Sequence, residues 1–420
     1  MTATAQANLY DLLNERGLLA QATHEQLRQR LEPGGKPIVA YAGFDPTADS
    51  LHVGSLVPIM GLAWLQRCGH KPLVLAGGAT GMVGDPSGKT ELRRMLSRDE
   101  IDHNARAIAA QIARVVRFDD SPSGALLVNN ADWLVDKTWI QMLREVGIHF
   151  SINRMLSMES VKGRLEGGGL TYLEFSYMIM QAYDYVHLYR THGCTLQMGG
   201  QDQWGNIVMG VDLARRMDNA ELAGLTFPLV TKADGGKFGK TEAGNVWLDS
   251  KRTSPYDFYQ FWRNIADSDV GKFLGYFTFL PIEQVRDLAS RQGAELNQAK
   301  DRLAWEVTKL IHGQTEADKA RDSAQRAFGA QQDVTGQSIP HKGLDRQSLA
   351  DEPGLLTLMV QAGLAASNSE ARRLVQGGGV KLHDAAVTDP ARKVTADDVR
   401  DGYILIRAGK KRLFRYDVSS

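Results

Sequence analysis

The first half of the chain alternates short runs of β-forming residues with longer helical patterns, and this alternation constrains the fold more than any other feature. Strands are predicted at residues 38–44, at PLVLAGG, at residues 125–131 and at CTLQMGG. The predicted helices between them include LVPIMGLAWLQRCG, which ends at Gly69, and a segment opened by Ser97 and an acidic first turn. Such alternation predicts βαβ units and a parallel sheet covered on both faces.

The strand pattern fades after about residue 250, and helical patterns follow. We therefore expect an α/β chain with a Rossmann-like parallel-sheet domain over residues 1–250 and an α-helical domain over 251–328. A polar stretch rich in Gly, Gln and Asp is predicted to be a linker over 329–353, because so long a structureless segment is uncommon inside one domain. A small α+β domain is expected over 354–420.

Charge and cysteine content exclude several classes of protein. The 49 basic and 49 acidic residues cancel, so a polyanion would need a local basic surface. Two cysteines without a CxxC motif argue against a disulfide scaffold and a structural zinc site. The chain shows neither a basic start followed by an apolar region nor the ~20 apolar residues of a membrane span. A cytoplasmic location without membrane contact is expected.

A glycine-rich segment, GGATGMVGDPSGKTELRR at residues 77–94, ends in a sequence similar to the phosphate-binding P-loop. A P-loop needs four residues between its two glycines before the lysine, whereas Gly84 and Gly88 enclose only three. The segment therefore fits a P-loop NTPase poorly. A plain glycine turn before a helix is the other interpretation, but it accounts poorly for Lys89 and Arg93 beside the turn.

A second glycine-rich segment, KADGGKFGKTEAG at residues 232–244, carries a lysine on either side of a Phe-Gly pair. A solvated hairpin tip or a flexible connection is one interpretation. The other is a mobile loop that brings Lys237, Lys240 and Thr241 onto phosphate oxygens. The segment alone leaves both open.

Polar side chains recur on one face of a predicted helix over residues 172–189. Tyr177, Gln181 and Asp184 are spaced i, i+4 and i+7, and the rest of that face is aromatic or Met. Because unpaired polar groups are costly to bury, they form either an internal network or a pocket for a small polar ligand. Asp202, which follows a Gly-Gly strand end, is either a helix cap or an acceptor for ribose hydroxyls.

The order of these segments is more specific than any one of them. HVGS at residues 52–55 resembles the HIGH signature of class I aminoacyl-tRNA synthetases, and KFGKT at 237–241 resembles their KMSKS signature. With YAGFDPTADSLHVG, GDPSGKT, YxxxQxxD at 177–184 and GGQDQWGN, nearly the whole chain resembles the bacterial tyrosyl-tRNA synthetases. The resemblance implies a tyrosine–tRNA ligase. A tryptophanyl-type synthetase and an inactive synthetase-like RNA-binding protein are the alternatives.

The resemblance implies that L-tyrosine attacks the α-phosphate of ATP and is then transferred to tRNA(Tyr). ATP is a substrate, Mg²⁺ arrives with it, and no protein-bound metal site is expected. The implied catalytic residues are Thr47, His52, Lys89, Arg93, Lys237, Lys240 and Thr241. The implied ATP-binding residues are Gly43, Asp45, His52, Ser55, Asp202 and Lys240. Ser55 stands where HIGH has its second histidine, which leaves its role open.

A tyrosine pocket is implied as well, formed by Tyr41, Asp85, Asn130, Tyr177, Gln181, Asp184 and Gln203. Tyr41 and Asp184 would bind the phenolic hydroxyl of the substrate. Asp85, Tyr177 and Gln181 would hold its ammonium group. A buried pair built for a hydroxyl is left unpaired by phenylalanine, and tyrosyl-tRNA synthetases are themselves the standard example of this rule.

The C-terminal unit is similar to a small RNA-binding domain shared with a ribosomal small-subunit protein. The residues implied to bind tRNA are Arg215, Arg216, Arg372, Arg373, Lys410, Lys411 and Arg412. Runs of this kind are more commonly a solvated charged face, so the family context carries the assignment. The resemblance also implies that the helical domain contacts the anticodon region and that the protein is a homodimer.

Overall fold

The computed structural model describes residues 7–86, 96–167, 169–231, 238–241, 244–293, 295–328, 339–383, 385–409 and 412–418. The chain divides into two compact units, residues 1–317 and residues 318–420. The predicted α/β class is confirmed, since the first unit contains a largely parallel sheet between helices. The predicted division of this unit near residue 250 stays a prediction.

The first unit is built on a six-stranded sheet with the order β1-β6-β5-β2-β3-β4. Its strands are β1 (Gln21–Ala22), β2 (Val39–Phe44), β3 (Lys71–Ala76), β4 (Leu126–Asn129), β5 (Cys194–Gly200) and β6 (Ala223–Phe227). All neighbours pair in parallel except β1, which is antiparallel to β6. A separate hairpin pairs β7 (Lys240–Thr241) with β8 (Gly244–Asn245). The four predicted strands are confirmed as β2 to β5.

Helices cover the sheet and then form the rest of this unit. They are α1 (Leu9–Glu15), α2 (Leu27–Arg30), α3 (Leu56–Arg67), α4 (Thr80–Val83), α5 (Arg98–Ile112), α6 (Ala131–Leu134), α7 (Trp139–Gln141), α8 (Ile152–Leu156), α9 (Glu159–Gly167), α10 (Tyr172–His192), α11 (Trp204–Asp218), α12 (Pro255–Arg263), α13 (Val270–Phe277), α14 (Ile282–Ser290), α15 (Leu296–His312) and α16 (Gln314–Phe328), the last of which continues into the second unit. Shorter 3₁₀ or π turns are Val53–Ser55, Met142–Val146, Gly147–His149, Gln201–Gln203 and Asp267–Asp269. In the part of the chain that the structure describes, no helix has the length and apolarity to cross a membrane.

Local sequence signals account for the helix ends that matter most. Ser97 caps α5 and forms a capping box with Glu100, as its acidic first turn predicts. Thr171 and Glu174 make the same arrangement at the start of α10, and Gly193 ends that helix in the left-handed conformation. Helix α10 is therefore fixed at both ends.

Close packing holds α10 and the sheet together behind the carboxyl ends of the strands. Tyr41 on β2 packs edge-on against Tyr185 on α10, with ring centroids 5.3 Å apart. A Cβ at Gly61 on α3 would lie 2.0 Å from the ring of Phe227, so only glycine fits there. Beyond β2, β3 and β5 the chain turns, and ligands of open parallel sheets bind at such ends.

The second unit contains a five-stranded sheet with the order β11-β10-β12-β13-β9. Its elements are β9 (His341–Leu344), α17 (Arg346–Ala350), α18 (Leu355–Gln361), α19 (Asn368–Gln376), β10 (Val380–Leu382), β11 (Ala385–Val387), the 3₁₀ turn Ala396–Asp398, β12 (Tyr403–Ala408) and β13 (Arg412–Val418). Met359, Val375 and Ile406 lie in the core between these helices and the sheet. The small α+β domain is thus confirmed.

The structure corrects the predicted linker for residues 339–353. Strand β9 pairs in parallel with β13, and α17 follows it directly. Because β9 is an edge strand with mostly exposed side chains, its polar sequence gave no sign of the backbone pairing. The remaining linker residues, 329–338, lie outside the described residues.

Candidate active site

A cavity of about 580 Å³ lies at the carboxyl ends of β2, β3 and β5. The predicted site residues that line it are Tyr41, Gly43, Asp45, Thr47, His52, Ser55, Asp85, Tyr177, Gln181, Asp184, Asp202 and Gln203. Residues from widely separated parts of the sequence therefore meet here. Asn130 lies directly behind the wall that Asp184 forms.

The carboxylate of Asp184 is buried at one end of the cavity and held by two donors. Asn130 Nδ2 donates to Oδ2 at 3.0 Å, and Trp133 Nε1 donates to Oδ1 at 2.8 Å. Burial raises the pKa of Asp184 to about 7, although both hydrogen bonds lower it, and the charge of Asp45 raises it further. Remaining lone pairs on the two oxygens can accept a hydrogen bond from a ligand.

Tyr41 provides a donor at the same end of the cavity. Its side chain is 1% exposed, and among the described residues its hydroxyl has no hydrogen-bond partner. Burial, and then the nearby charge of Asp184, raise the pKa of Tyr41 well above the ordinary value, so the hydroxyl keeps its proton. An unsatisfied donor and a buried carboxylate thus line one cavity, and a ligand hydroxyl would satisfy both.

We predict that Asp184 makes the protein less stable as pH rises through about 7. A carboxylate whose folded pKa is about 7, against an ordinary 3.8, stabilises the fold most below the unfolded value and loses that contribution as pH rises through the folded one. The full effect is up to about 4 kcal/mol, and about 3 kcal/mol of it is lost between pH 5 and pH 8.5. Chemical denaturation at pH 5 and pH 8.5 measures it, with Asp184→Asn as the control that lacks the titration. Equal pH dependence in the two proteins would contradict the prediction.

At the other end of the cavity, side chains from α10, α11 and two loops form a second polar group. Tyr177 OH donates to Asp45 Oδ2 at 2.9 Å, and Gln203 Nε2 donates to Asp85 Oδ2 at 2.6 Å. Asn206 Nδ2 donates to Gln181 Oε1 at 3.0 Å. The polar residues of α10 therefore line a cavity and also belong to internal networks, and the binding of a polar ligand by them stays a prediction.

His52 lies at the rim of the cavity, where the chain enters α3. It is the N-cap residue of the turn Val53–Ser55, and its Nδ1 accepts the amide N–H of Gly54 at 3.0 Å. In a neutral imidazole the proton then lies on Nε2, which becomes a donor. A Cβ at Gly54 would lie 2.8 Å from the His52 ring, so glycine here allows the imidazole to keep this position. His52 is thus a solvent-facing side chain at a helix start and not a core histidine.

The segment around KFGKT runs beside this turn. Val53 N–H donates to the carbonyl of Val246 at 3.0 Å, and Val246 N–H donates to that of Gly239 at 2.8 Å. Phe238 is buried among aromatic rings of α12 and α13 and fixes one end of the segment. The two signature segments thus pack together.

Several predicted phosphate-binding groups lie outside the described residues. These are Lys89, Arg93, Lys237 and the side chains of Lys240 and Thr241. Thr47 and Ser55 are described and line the cavity, and no side-chain cap bond from Ser55 holds α3.

Asp202 lines the cavity from the turn that precedes α11. The N-cap residue of α11 is Gln203, one position later. Burial, and then the charge of Asp85, raise the pKa of Asp202. A Cβ at Gly200 would lie 2.5 Å from Asp202 Oδ1, so the glycine allows this carboxylate its position. Its predicted contact with ribose stays a prediction.

Basic residues predicted to bind tRNA occur in both units. In the first unit, Asp212 accepts hydrogen bonds from Arg154, Arg215 and Arg216. Burial alone would raise the pKa of Asp212, but the three arginines outweigh it and lower the pKa. In the second unit, Arg372, Arg373 and Arg412 are exposed, whereas Lys410 and Lys411 lie outside the described residues. The structure therefore leaves the described arginines exposed.

Sequence reasoning missed several residues of the site. Trp133 and Asn206 bond directly to predicted site residues, and Thr80 and Trp247 line the cavity. Trp133 stands three residues after Asn130, so the helical repeat of α6 was a signal that could have found it. Across the described ranges, no group of three or more His, Cys, Asp or Glu side chains has a geometry that could hold a metal ion.

Comparisons with known proteins show the family of the chain. Residues 33–329 match the family described as tRNA synthetases class I (W and Y), and residues 337–416 match the tyrosine–tRNA ligase SYY-like C-terminal domain. The tyrosine–tRNA ligases of Clostridium botulinum and Clostridium kluyveri are each 48% identical over 410 residues, covering 97% of this chain and 99% of the relative.

Solved structures give the same result. A C-terminally truncated mitochondrial tyrosyl-tRNA synthetase of Aspergillus nidulans is 31% identical with a TM-score of 0.69, covering 76% of this chain and 94% of that one. The tryptophanyl-tRNA synthetase of Giardia lamblia, 16% identical with a TM-score of 0.55, covers 76% of this chain and 88% of that one and shows the shared fold alone. The fold and its matches define a class I aminoacyl-tRNA synthetase. Within that class, the chain belongs to the tyrosine–tRNA ligase family.

Proposed function

We propose that the protein activates L-tyrosine with ATP and then transfers the tyrosyl group to the 3′ end of tRNA(Tyr). The observation that carries the choice of amino acid is the buried hydroxyl of Tyr41, which has no partner among the described residues and lies in the same cavity as the buried carboxylate of Asp184. A phenolic hydroxyl would accept from Tyr41 and donate to Asp184. An indole N–H could serve only the carboxylate, so the pocket favours tyrosine over tryptophan.

The ammonium group of the substrate would lie at the other end of the cavity. Tyr177 uses its proton on Asp45 and so offers an oxygen lone pair to an ammonium N–H. Gln181 and Asp85 line the same region and offer further acceptors. Gln203, which donates to Asp85, would lie near the reacting carboxylate of the substrate.

Activation requires positioning and charge stabilisation instead of a protein nucleophile. The tyrosine carboxylate oxygen forms a bond to the α-phosphorus of ATP, the bond to the β-phosphate oxygen breaks, and pyrophosphate leaves with the electron pair. His52 at the start of α3 and Thr47 in the same cavity would face the phosphates, together with Lys89, Arg93, Lys237, Lys240 and Thr241. Mg²⁺ arriving with ATP would neutralise phosphate charge.

ATP–pyrophosphate exchange tests this proposal. Exchange should depend on tyrosine, with tryptophan and phenylalanine giving little. Exchange stimulated by tryptophan and not by tyrosine would establish the tryptophanyl alternative. RNA binding without any adenylate formation would establish an inactive RNA-binding protein, and nucleotide hydrolysis without an amino acid would point to a P-loop type of reaction.

Transfer requires tRNA, and the exposed arginines offer surfaces for its phosphates. Arg372 and Arg373 lie on α19, and Arg412 begins β13. On the first unit, Arg215 and Arg216 are exposed near the end of α11. Because phosphate contacts release counterions, tRNA affinity should fall with salt. The proposed anticodon contact of residues 251–328 and a cytoplasmic location stay predictions.

A homodimer is supported by an apolar surface on the first unit. Large exposed apolar side chains concentrate between β4 and the start of α10: Leu126, Leu127, Val135, Trp139, Ile140, Leu143, Ile148, Ile152, Leu156, Leu165, Tyr172 and Leu173. Trp139 and Tyr172, from different helices, pack with ring centroids 5.9 Å apart. Exposed apolar surface of this extent marks a protein interface, and two-fold dimers are the commonest closed assembly.

We predict that Ile148→Asp converts the dimer to a monomer. Ile148 is 75% exposed, so the substitution leaves the core intact but places a charge in each half of the interface. Two such charges should raise the Kd of the dimer by ~10³-fold. Sedimentation velocity measures the change. Leu229→Asp is the matched control, because Leu229 is 56% exposed but lies outside this surface in sequence, and it should stay dimeric. A wild-type monomer would refute the dimer.

A further inference from the structure

Thr80 occupies a buried position between the two ends of the cavity. It is the first residue of α4, is 3% exposed and belongs to the GGATG turn that follows β3. Its Oγ1 donates to Asp45 Oδ1 at 2.9 Å and accepts from Asn130 Nδ2 at 3.0 Å. Thr80 therefore bonds to one residue from each end of the tyrosine pocket.

The direction of these hydrogen bonds is fixed by Asn130. The Ala79 amide N–H donates to Asn130 Oδ1 at 2.7 Å, which determines which way the side-chain amide points. Asn130 Nδ2 then has two protons and uses them on Thr80 and Asp184. Since Asn130 can only donate to Thr80, the single hydroxyl proton of Thr80 is available for Asp45.

A continuous chain of hydrogen bonds thus joins two carboxylates that line the cavity. Asp184 accepts from Asn130, Asn130 donates to Thr80, Thr80 donates to Asp45, and Tyr177 donates to the other oxygen of Asp45. Each carboxylate receives a second donor, Trp133 or Tyr177, so both oxygens of each are oriented. Thr80 connects the hydrogen bonds around Asp184 to those around Asp45.

Two glycines in the surrounding backbone allow these hydrogen bonds to form. A Cβ at Gly77 would lie 2.2 Å from Asp45 Oδ1 and 2.5 Å from Thr80 Oγ1, so any other residue there would separate the two groups. A Cβ at Gly78 would lie 2.1 Å from Asn129 Oδ1, next to Asn130. Both glycines of the turn are required for its approach to these side chains.

We propose that Thr80 is a positioning residue that couples the hydroxyl-binding end of the pocket to the ammonium-binding end. Its hydroxyl holds Asp45 and also interacts with the Tyr177 hydroxyl, while its oxygen fixes the Asn130 amide that orients Asp184. This rests on the proposed activation of tyrosine. Losing the hydroxyl would leave a buried Asn130 proton without its acceptor and Asp45 without one donor.

Two substitutions of Thr80 separate the effect of the hydroxyl from that of side-chain packing. Thr80→Val keeps the shape and removes the hydroxyl, whereas Thr80→Ser keeps the hydroxyl and removes the methyl group. We expect Thr80→Val to raise KM for tyrosine about tenfold or more, because two buried hydrogen bonds are lost, with KM for ATP unchanged. Thr80→Ser should stay within about twofold of wild type. A residue that only fills space would show the opposite order.

Phenylalanine distinguishes the two ends of the pocket. Phenylalanine has the ammonium group of tyrosine but lacks its hydroxyl. A loss of kcat/KM for phenylalanine in Thr80→Val therefore reports a change at the ammonium-binding end, where Asp45 lies. A fall in the tyrosine-to-phenylalanine ratio of kcat/KM reports on Asp184. Both changes are expected together, and a change confined to one end would overturn the coupling.

A folding defect in Thr80→Val would not remove the test. Thr80→Ser and Thr80→Ala differ only in the hydroxyl and share the missing methyl group, so tyrosine binding should survive in the first and fall about tenfold in the second. Equal behaviour of this pair refutes the proposal. Wild-type exchange without a tyrosine requirement would instead refute the proposed function, so the two failures are distinguishable.

Discussion

Replacing Asp184 by alanine should lower kcat/KM for tyrosine by ~10³-fold, while KM for ATP stays within about twofold. The substitution removes the acceptor for the substrate hydroxyl and leaves the Asn130 and Trp133 donors buried without their partner. Activity with phenylalanine, which never used that acceptor, should change far less. Tyrosine-dependent exchange and equilibrium binding of tyrosine measure the two effects.

Two further variants make the Asp184 result interpretable. Asp184→Asn keeps the shape but can no longer orient both neighbouring donors, so it should show a smaller loss than alanine. Asp269→Ala removes another buried carboxylate of the same unit, one paired with Lys272 and absent from the cavity lining, and should leave tyrosine kinetics unchanged. Unchanged tyrosine affinity in Asp184→Ala would refute the pocket.

Local periodicity made part of this site predictable from sequence. The spacing of Tyr177, Gln181 and Asp184 places them on one helix face whatever the helix packs against, and the structure confirms that all three line the cavity. Strand ends are predictable for the same reason, since the carboxyl ends of parallel strands share one edge. Ser97 and its acidic turn likewise fix the start of α5 through neighbouring residues alone.

Partners distant in sequence were not predictable. The family resemblance grouped Asp45 with the ATP-binding residues, and the structure adds a hydrogen bond to it from Tyr177, 132 positions away. Nothing in either segment encodes that distance. Trp133 and Thr80 were not predicted for the same reason. The role of an indole N–H or of a single hydroxyl depends on the carboxylate to which it donates.

Short and exposed strands were missed for a different reason. Strand β1 has two residues and pairs antiparallel with β6, so it has no repeat to detect. Strand β6, AGLTF, contains Gly224, where a Cβ would lie 2.2 Å from Ile207 on α11. Close helix packing therefore selects a small residue of low β propensity there. The glycine that this packing selects therefore makes β6 hard to recognise as a strand from its sequence.

His52→Ala is expected to lower kcat for tyrosine-dependent exchange by ~10²-fold with little change in KM for ATP. The Gly54 amide occupies Nδ1, so Nε2–H is the donor that His52 can direct to phosphate oxygen. Charge on the phosphates grows only as pyrophosphate leaves, and a donor placed there binds the transition state more strongly than ATP. Single-turnover rates of adenylate formation measure this step.

The controls for His52 separate transition-state binding from ground-state binding. His52→Gln retains a side-chain N–H and should recover part of the rate, whereas His24→Ala, an exposed histidine absent from the cavity lining, should match wild type. If KM for ATP rises as much as kcat/KM falls while kcat is unchanged, His52 binds ATP uniformly and does not favour the transition state. We expect a fall in kcat with little change in KM for ATP, because the hydrogen bond that Nδ1 accepts from Gly54 holds Nε2–H in place before the phosphate charge develops.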